Sequence, residues 1–410
     1  MSDSDWLDVT LGEFVTLQRG HDLPDRDRRT GLVPILGSFG VTGYHDRPRA
    51  PGPGVTVGRS GASFGVISYS AVPFWPLNTA LYVRDFHGND ERFAYYFLQC
   101  LDLKRFNSGS AQPSLNRNFI HPIEVKVPPV PEQRAIASVL GALDDKIELN
   151  RKMSATLKAI SRALFKSWFV DFDPVRAKAE GRDPDLPAEI ADLFPDSFEE
   201  TAHDQIPSGW LTKSIADMAE PSRATINPGN FPDEYFEHYS IPAYDTGRGA
   251  IVERGEAIKS NKFLVLTDAV LLSRLNPRTP RIWMPTSTGP RRAICSTEFA
   301  VMRPKLYSRE WLYCLFSNQT FCDNLTTMVT GTSGSHQRVR PESLLAIPTI
   351  APAEQVVQTF TSIVGPFLTR VALAQNESLT LAALRDALLP KLISGELRVG
   401  EAERVLAASA

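Results

Sequence analysis

The chain has 410 residues, 42% hydrophobic and 22% charged, which allows two or three domains with cores of their own and excludes a mainly disordered protein. Its formal net charge of -3 is misleading, because residues 171–204 hold eleven acids against three bases, while 1–130 balance at 13 against 13, 131–170 carry 7 bases to 4 acids and 205–350 carry 16 bases to 13 acids. No apolar run approaches the roughly 18 residues that span a bilayer, and MSDSDWLDVT is acidic rather than a leader, so a cytoplasmic chain without membrane contact is expected.

The first body runs from Trp6-Leu7 to about Pro129. Short strand-like runs (VPILGSF, GVTVGR, FGVISYS, TALYVR) alternate with Gly/Pro punctuation, then come a helical ERFAYYFLQCLDLKRF and a polar loop NSGSAQPSLNRN, a mixed α/β pattern. From Pro131 to Phe169 a long helix is predicted. Ile136, Val139, Leu140, Leu143 and Ile147 form one apolar stripe, which Met153, Leu157, Ile160, Leu164 and Trp168 resume at spacings of three and four. At 1.5 Å per residue such a rod is about 50 Å long, more than a normal core helix needs.

Residues 171–204, rich in Pro and acid, read as a connector with at most short helices. A second body follows over 205–350, opening at Trp210-Leu211, with strand candidates IPAYDTG, FLVLTDAVLLSRLN, RIWMP and EFAVMRP, a helical REWLYCLFSNQTFCDNL and the loop VTGTSGSHQRVRP. A second rod over 351–397 carries Val357, Phe360, Val364, Phe367, Val371, Ala374, Ser378 and Leu381 on one stripe, and 398–410 reads as a tail. Gly365-Pro366 is expected to interrupt this rod and restart it with Pro in its first turn.

The two halves repeat. Trp6-Leu7 matches Trp210-Leu211, and Leu11 and Glu13 are answered by Ile215 and Asp217 at the same offset of 204. Arg59 after GVTVG matches Arg274 after AVLLS; Gly109-Ser110-Ala111-Gln112 faces Gly334-Ser335-His336-Gln337; Glu132-Gln133 faces Glu354-Gln355; Leu157, Ile160, Ala163 and Leu164 face Leu381, Leu384, Ala387 and Leu388. The predicted fold class is therefore α/β: two pseudo-twofold-related mixed α/β domains, 1–130 and 205–350, separated by two long antiparallel helices.

Catalytic motifs are missing. There is no Gly-rich phosphate loop ending in Lys-Ser/Thr, no His-Glu-x-x-His and no Asn/Asp-Pro-Pro-aromatic tetrapeptide; Asp173-Pro174-Val175 lacks the second proline and the aromatic. Asp144-Asp145-Lys146 looks like a nuclease triplet but falls inside the rod, where a solvated helix face is the expected role. The seven histidines are scattered, and Cys100, Cys295, Cys314 and Cys322 have neither zinc nor disulfide-framework spacing, so reduced structural thiols and no metal are expected. Trp75, Trp283, Tyr95 and Tyr96 read as core aromatics.

What recurs is a binding constellation. Asn107, Ser108, Ser110, Gln112, Asn116 and Arg117 in the first polar loop, and Ser333, Ser335, His336, Gln337, Arg338 and Arg340 in the second, are residue types that pair with base edges or phosphate oxygens. A hydrated turn would explain either loop alone; the repeat favours DNA contact. Arg59 and Arg274 join them, and the run Arg274, Arg278, Arg281, Arg291 and Arg292 reads as a phosphate-facing loop.

Pro131-Glu132-Gln133 opening a long helix, Ser167-Trp168-Phe169-Val170-Asp171-Phe172 closing it, the connector Pro174-Val175-Arg176-Ala177-Lys178-Ala179-Glu180-Gly181 and Ile206-Pro207-Ser208-Gly209-Trp210 opening a second domain appear in one order with the duplicated G-S-x-Q loop. This arrangement, covering Trp6 to about Leu397, resembles the specificity subunits of type I restriction-modification systems. The resemblance implies a non-catalytic chain whose two target-recognition domains each read half of a bipartite double-stranded DNA target. It implies helices that dock two modification subunits, which bind S-adenosylmethionine and methylate adenine, and a restriction subunit as a further partner for cleavage; no cofactor is implied on this chain. Two other readings are a self-contained DNA methyltransferase or nuclease, and a coiled-coil scaffold that does not touch DNA.

Overall fold

Where the chain first turns is decided by its capping residues. In a computed structural model, which describes residues 6–109, 112–201, 205–247, 249–286, 289–330 and 337–409, strand β1 (Leu7–Thr10) runs into the single turn α1 (Leu11–Phe14). The Thr10 backbone N–H donates to Glu13 at 2.7 Å, and the Glu13 N–H donates back to the Thr10 hydroxyl at 3.3 Å, a capping box that is worth about 1 kcal/mol.

The first unit comprises Met1–Glu148 and Thr380–Ala410. Its further elements are β2 (Thr16–Arg19), β3 (Val33–Gly37), β4 (Gly40–His45), β5 (Gly54–Gly58), β6 (Ile67–Ser70), β7 (Trp75–Pro76), β8 (Ala80–Asp85), α2 (Glu91–Cys100), α3 (Arg117–Ile120), β9 (Glu124–Val127) and the first half of α4 (Val130–Phe169). Three sheets form, β2-β8-β5-β6, β4-β3-β7 and the antiparallel pair β1-β9. Val55, Val57, Leu81, Phe93 and Phe97 meet Ile136, Leu140 and Leu143 of α4 in one core.

The second unit, Leu149–Leu379, takes the other half of α4, then α5 (Asp173–Ala179), α6 (Ala188–Ala191), β10 (Phe198–Glu200), β11 (Gln205–Pro207), β12 (Leu211–Ser214), α7 (Ile215–Met218), β13 (Ala219–Ser222), β14 (Thr225–Ile226) and β15 (Tyr235–Tyr239). It continues through α8 (Ile241–Asp245), β16 (Ile251–Arg254), β17 (Lys262–Leu264), β18 (Val270–Ser273), β19 (Ile282–Trp283), β20 (Ala293–Cys295), β21 (Phe299–Pro304), α9 (Arg309–Phe316), α10 (Gln319–Thr327), β22 (Val329–Thr330), β23 (Arg338–Val339), α11 (Pro341–Leu345), β24 (Pro348–Ala351) and most of α12 (Glu354–Ile393). The rest of α12 and α13 (Val399–Ser409) belong to the first unit.

The same plan is built twice. Sheet β13-β21-β18-β19 answers β2-β8-β5-β6, pair β12-β24 answers β1-β9, and β15, antiparallel to β16 and parallel to β20, answers β3, antiparallel to β4 and parallel to β7. The Leu11 N–H donates to Ile123 O at 2.8 Å and the Ile215 N–H to Ile347 O at 3.0 Å; the Ser214 N–H donates to Asp217 at 2.9 Å. Glu13 and Asp217 therefore match because both close a first helical turn.

Each unit packs a segment of α4 against an antiparallel segment of α12. In the first, Leu143 shares the core with Leu388, Leu392 and Ile393, and Ala402 of α13 is fully buried there, so residues 399–409 are a packed helix where a tail was expected. In the second, Phe165 and Phe169 meet Phe360 with ring centroids 5.8 and 5.1 Å apart, and Trp168 meets Phe194 from the acidic segment at 5.1 Å. Phe172, Val175 and Phe194 put the expected connector into this core.

Three expectations about the long helices change. Gly365-Pro366 does not break α12, which is continuous over its 40 residues. Proline removes the N–H that would meet the Ser362 carbonyl, but Pro366 and Ser362 are both exposed, so water can serve that carbonyl. Along the second half of α4 the buried face is only partly the predicted stripe: Trp168 is buried as expected and Met153, Leu157 and Leu164 are half-buried, but Ile160 is 45% exposed, and Asn150, Ser154, Ser161 and Phe165, outside the stripe, are buried. The apolarity of α12 was also understated, since it alone among the described helices is long and apolar enough to cross a bilayer. Val356, Val357, Phe360, Val364 and Leu368 spend that apolarity on the core of the second unit.

Candidate nucleic-acid interface

Arg59 leaves the buried strand β5 at a point where four hydrogen bonds stitch three segments together. Its backbone N–H donates to Thr79 O at 2.9 Å, its carbonyl accepts from Leu115 at 2.8 Å, Pro113 O accepts from Gly61 at 3.2 Å, and its guanidinium Nη1 reaches Asn78 O at 3.2 Å. In the second unit Arg274 leaves β18 with the same four bonds: its N–H to Glu298 O at 2.9 Å, its carbonyl from Val339 at 3.0 Å, Gln337 O from Asn276 at 2.9 Å, and Nη2 to Thr297 O at 2.7 Å. Arg59 and Arg274 are thus equivalent in hydrogen bonding, not only in sequence. Both are half-buried, with the guanidinium held by a carbonyl at the loop end of the sheet.

This frame corrects the loop alignment. Because Leu115 corresponds to Val339, Pro113 corresponds to Gln337, and the counterpart of Gln112 is His336. The G-S-x-Q match was one residue out of register. The Glu-Gln match is out by two: Glu132 and Gln133 donate to Pro129 O where Val356 and Val357 donate to Ala353 O, so the counterpart of Gln133 is Val357. Gln133 is a buried strut, its Nε2 on Asn89 Oδ1 and Pro128 O at 2.7 and 2.9 Å; in the second unit Tyr307 supplies the equivalent bond to Pro352 O at 2.5 Å.

In the first loop Asn107 Oδ1 accepts from the Gly109 and Ser114 N–H groups at 3.0 Å each, which closes the turn and leaves Gln112 exposed. Asn116 caps α3, accepting from the Asn118 N–H at 3.0 Å, and Arg117 follows it, exposed, with Nη1 3.4 Å from Leu17 O. Ser110, Ser335 and His336 lie outside the described residues. Arg338 is held side-on by Glu298 through Nε and Nη2 at 2.9 and 2.7 Å, and this pairing keeps the Glu298 carboxyl below its usual range.

The arginine run does not form one phosphate-facing loop. Arg281 is 9% exposed and forks onto Asp245 at 2.6 and 2.8 Å; Arg292 forks onto Glu234 and stacks over Phe231, 4.2 Å from its centroid. These two are structural. Arg278 and Arg291 are exposed, and Arg274 belongs to the frame above.

A groove joins the first frame to residues that pattern reading passed over. Gln18, Arg19, His21, Asp22, Arg84 and Arg117 line it, and Asn78 Nδ2 donates to the Asp22 carboxylate, linking it to the Arg59 turn. His121 backs the groove: its Nε2 accepts the Leu17 N–H at 3.0 Å, and burial, with Arg117 nearby, pushes its pKa down, as burial and Arg49 do for His21. Uncharged imidazoles beside three arginines make a cationic trough suited to phosphate. Register Gln18↔Tyr82 answers Ser222↔Val301, so Arg19 and Arg84 recur as Arg223 and Arg303, the latter tied to Asp268 and Glu220 at 3.2 and 3.6 Å. Ordinary strand alternation hid both.

The acidic triplet on α4 is engaged in structure. Tyr96 donates to Asp144 at 2.6 Å, Arg385 to its other oxygen at 2.6 Å, and Arg92 forks onto Asp145 at 2.9 and 2.7 Å. Asp145 stays exposed, on the solvated face expected there, whereas Asp144 is drawn into packing. No His/Cys/Asp/Glu group able to hold a metal occurs among the described residues, and burial pushes the Cys295 and Cys314 thiols up to about 12.

Comparison with known proteins agrees with this picture. A family model described as a type I restriction modification DNA specificity domain matches residues 3–159. The type I restriction enzyme MjaIX specificity subunit of Methanocaldococcus jannaschii is 26% identical over 82% of this chain and 76% of its own, and the HindI specificity subunit of Haemophilus influenzae 22% identical over 70% and 71%. The crystal structure of a type I restriction-modification S subunit from M. genitalium aligns with a TM-score of 0.59 and 15% identity, over 94% of this chain and 96% of that one, which places the fold.

Proposed function

We infer that the chain is a type I restriction-modification DNA specificity subunit and that each of its two units reads one half of a bipartite double-stranded DNA target. The observation that carries this reading is the repeated four-bond frame around Arg59 and Arg274, which holds one arginine and one polar loop in the same geometry in each unit. Loop side chains such as Gln112, Asn116, Gln337 and Arg338 contact base edges, while Arg19, Arg59 and Arg84, their counterparts Arg223, Arg274 and Arg303, and Arg117 of the first unit alone hold phosphates.

Helices α4 and α12, each with one segment in either unit, set the length of the unread spacer between the half-sites and dock two modification subunits. Those subunits bind S-adenosylmethionine and methylate adenine, and a restriction subunit adds cleavage. The chain itself is non-catalytic and works in the cytoplasm. Its bonding supports that division, because Asp144 and Asp145, the most enzyme-like residues, are committed to Tyr96, Arg385 and Arg92.

Mapping N6-methyladenine in the host genome tests the reading. The expected result is one split motif with a fixed-length gap that disappears when this chain is deleted. A continuous motif, or S-adenosylmethionine binding by the purified chain in calorimetry, would overturn it.

A further inference from the structure

One surface of the first unit takes no part in the frame or the groove. Strands β3 and β4 form a ribbon closed by the two-residue turn Ser38–Phe39, and β4 is the outer strand of its sheet. The inward residues Ile35 and Leu36 are buried, yet Phe39, Val41 and Tyr44 are 64%, 50% and 59% exposed. Single exposed apolar side chains are ordinary; three along one ribbon, with an aromatic ring at the tip, form a patch that calls for a partner.

The tip is positioned, not loose. A Cβ added to Gly58 would stand 2.3 Å from Ser38 O and 2.1 Å from Ser63 O, so glycine is required for the ribbon to lie against the residue that precedes Arg59. Phe39 is thereby placed at the same end of the unit as Arg59, Gly61 and Gln112. The ribbon, residues 33–45, carries no carboxylate, and its surroundings are basic: residues 24–49 hold five arginines against three aspartates, a balance of +2. Arg28 Nη1 lies 3.7 Å from where a Gly43 Cβ would stand, and the Arg29 N–H donates to His45 Nδ1 at 3.1 Å. In the second unit the corresponding strands β15 and β16 are joined instead by residues 240–250, which carry α8 and are tied down by Arg281–Asp245.

We propose that the β3–β4 ribbon enters the major groove of the half-site read by the first unit and packs Phe39 against its bases. The groove is about 12 Å wide and admits a two-stranded ribbon, and an aromatic tip finds there the methyl group on a thymine edge without needing a hydrogen bond. Arginines at the base of the ribbon meet the phosphates on either side. This inference rests on the DNA-reading function above and names a contact made by one unit only.

The test uses the full-length chain and a fluorescein-labelled 40-base-pair duplex carrying the methylated motif found by genome mapping. Phe39→Ala is expected to weaken binding about tenfold without changing the slope of log K against log salt, whereas Leu32→Ala, at a fully exposed leucine outside the ribbon, leaves binding unchanged. Phe39→Trp is expected to keep the affinity and to add an emission component that the duplex quenches. Binding by Phe39→Ala within twofold of wild type, with no quenching of Trp emission in the Phe39→Trp chain, overturns the proposal. So does a Phe39→Ala chain that binds DNA normally but no longer assembles with the modification subunit, which would make the ribbon a protein-docking surface. If the wild-type chain, alone and assembled, ignores the duplex, the DNA-reading function itself fails.

Discussion

Arg385 of α12 and Tyr96 of α2 grip the two oxygens of one carboxylate, Asp144 of α4, each at 2.6 Å. Neither the arginine nor the aspartate is more than about a quarter exposed, and Tyr96 is fully buried. Asp144→Ala removes the acceptor of the buried Tyr96 hydroxyl and leaves Arg385 with Asp386 alone, at 2.9 and 2.7 Å, and is expected to cost about 1–3 kcal/mol, against less for Asp144→Asn. Chemical denaturation of the two variants checks the order; an unchanged midpoint for Asp144→Ala, with loss of methylation by the assembled complex, would return the carboxylate to a catalytic role.

Gly365 lies in an uninterrupted helix, and a Cβ added there meets nothing within 4 Å. Gly365→Ala should therefore stabilise the second unit by about 0.5–1 kcal/mol, the usual helix-interior gain. A loss of stability in urea melts would mean that the backbone at Gly365-Pro366 is not helical.

Arg19 and Arg84 line the groove of the first unit. Replacing both by Ala is expected to lower the salt slope of DNA binding by about two, close to 0.9 per phosphate contact, and to weaken all sequences alike. Titrations between 50 and 200 mM salt read this directly, and a sequence-selective loss would instead place these arginines on bases.

Gln337 sits in the second frame, and Glu298 orients Arg338 beside it. Gln337→Ala and Arg338→Ala are expected to relax only the half-site read by the second unit, by roughly 1–3 kcal/mol per lost base contact. Glu298→Gln should relax the same half more weakly, because Arg338 keeps its charge and loses its support. Methylation profiling over randomised half-sites separates these outcomes from an equal relaxation of both.

His121 accepts a backbone N–H through Nε2, and burial lowers its pKa. A depressed folded-state pKa means that its contribution to stability is complete above the ordinary value of about 6.5 and is lost as pH falls through the folded value. Thermal midpoints of the first unit should fall on acidification below about 6.5, and His121→Phe, which gives up the Leu17 bond at every pH, should be about 1–3 kcal/mol less stable at pH 8 with a flatter acid limb. A wild-type midpoint that is flat from pH 7.5 to 5 would contradict this.

The duplication was legible because its strongest marks are local. Thr10–Glu13 and Ser214–Asp217 close helical turns within four residues, and Arg59 and Arg274 each follow a buried strand. Register across the loops was not legible. Pairing Gln112 with Gln337 satisfied residue identity, but the bonds to Arg59 and Arg274 that set the register come from segments more than fifty residues away. The arginine run misled for a related reason: Arg281 and Arg292 find Asp245 and Glu234 only after folding, and nothing in their spacing marks them as buried forks. Arg19 and Arg84 were missed because one exposed arginine per strand is what any half-solvated sheet shows.

The first unit draws Leu388, Leu392, Ile393 and Ala402 from the last stretch of chain, whereas the second is continuous from Leu149 to Leu379. Synthesis therefore delivers the two in reverse: the later-encoded unit has all its residues first, and the earlier one waits, with Leu140 and Leu143 uncovered, until the ribosome has passed residue 393. A nascent chain stalled near residue 380 should resist protease over 149–379 and be cut within 1–148.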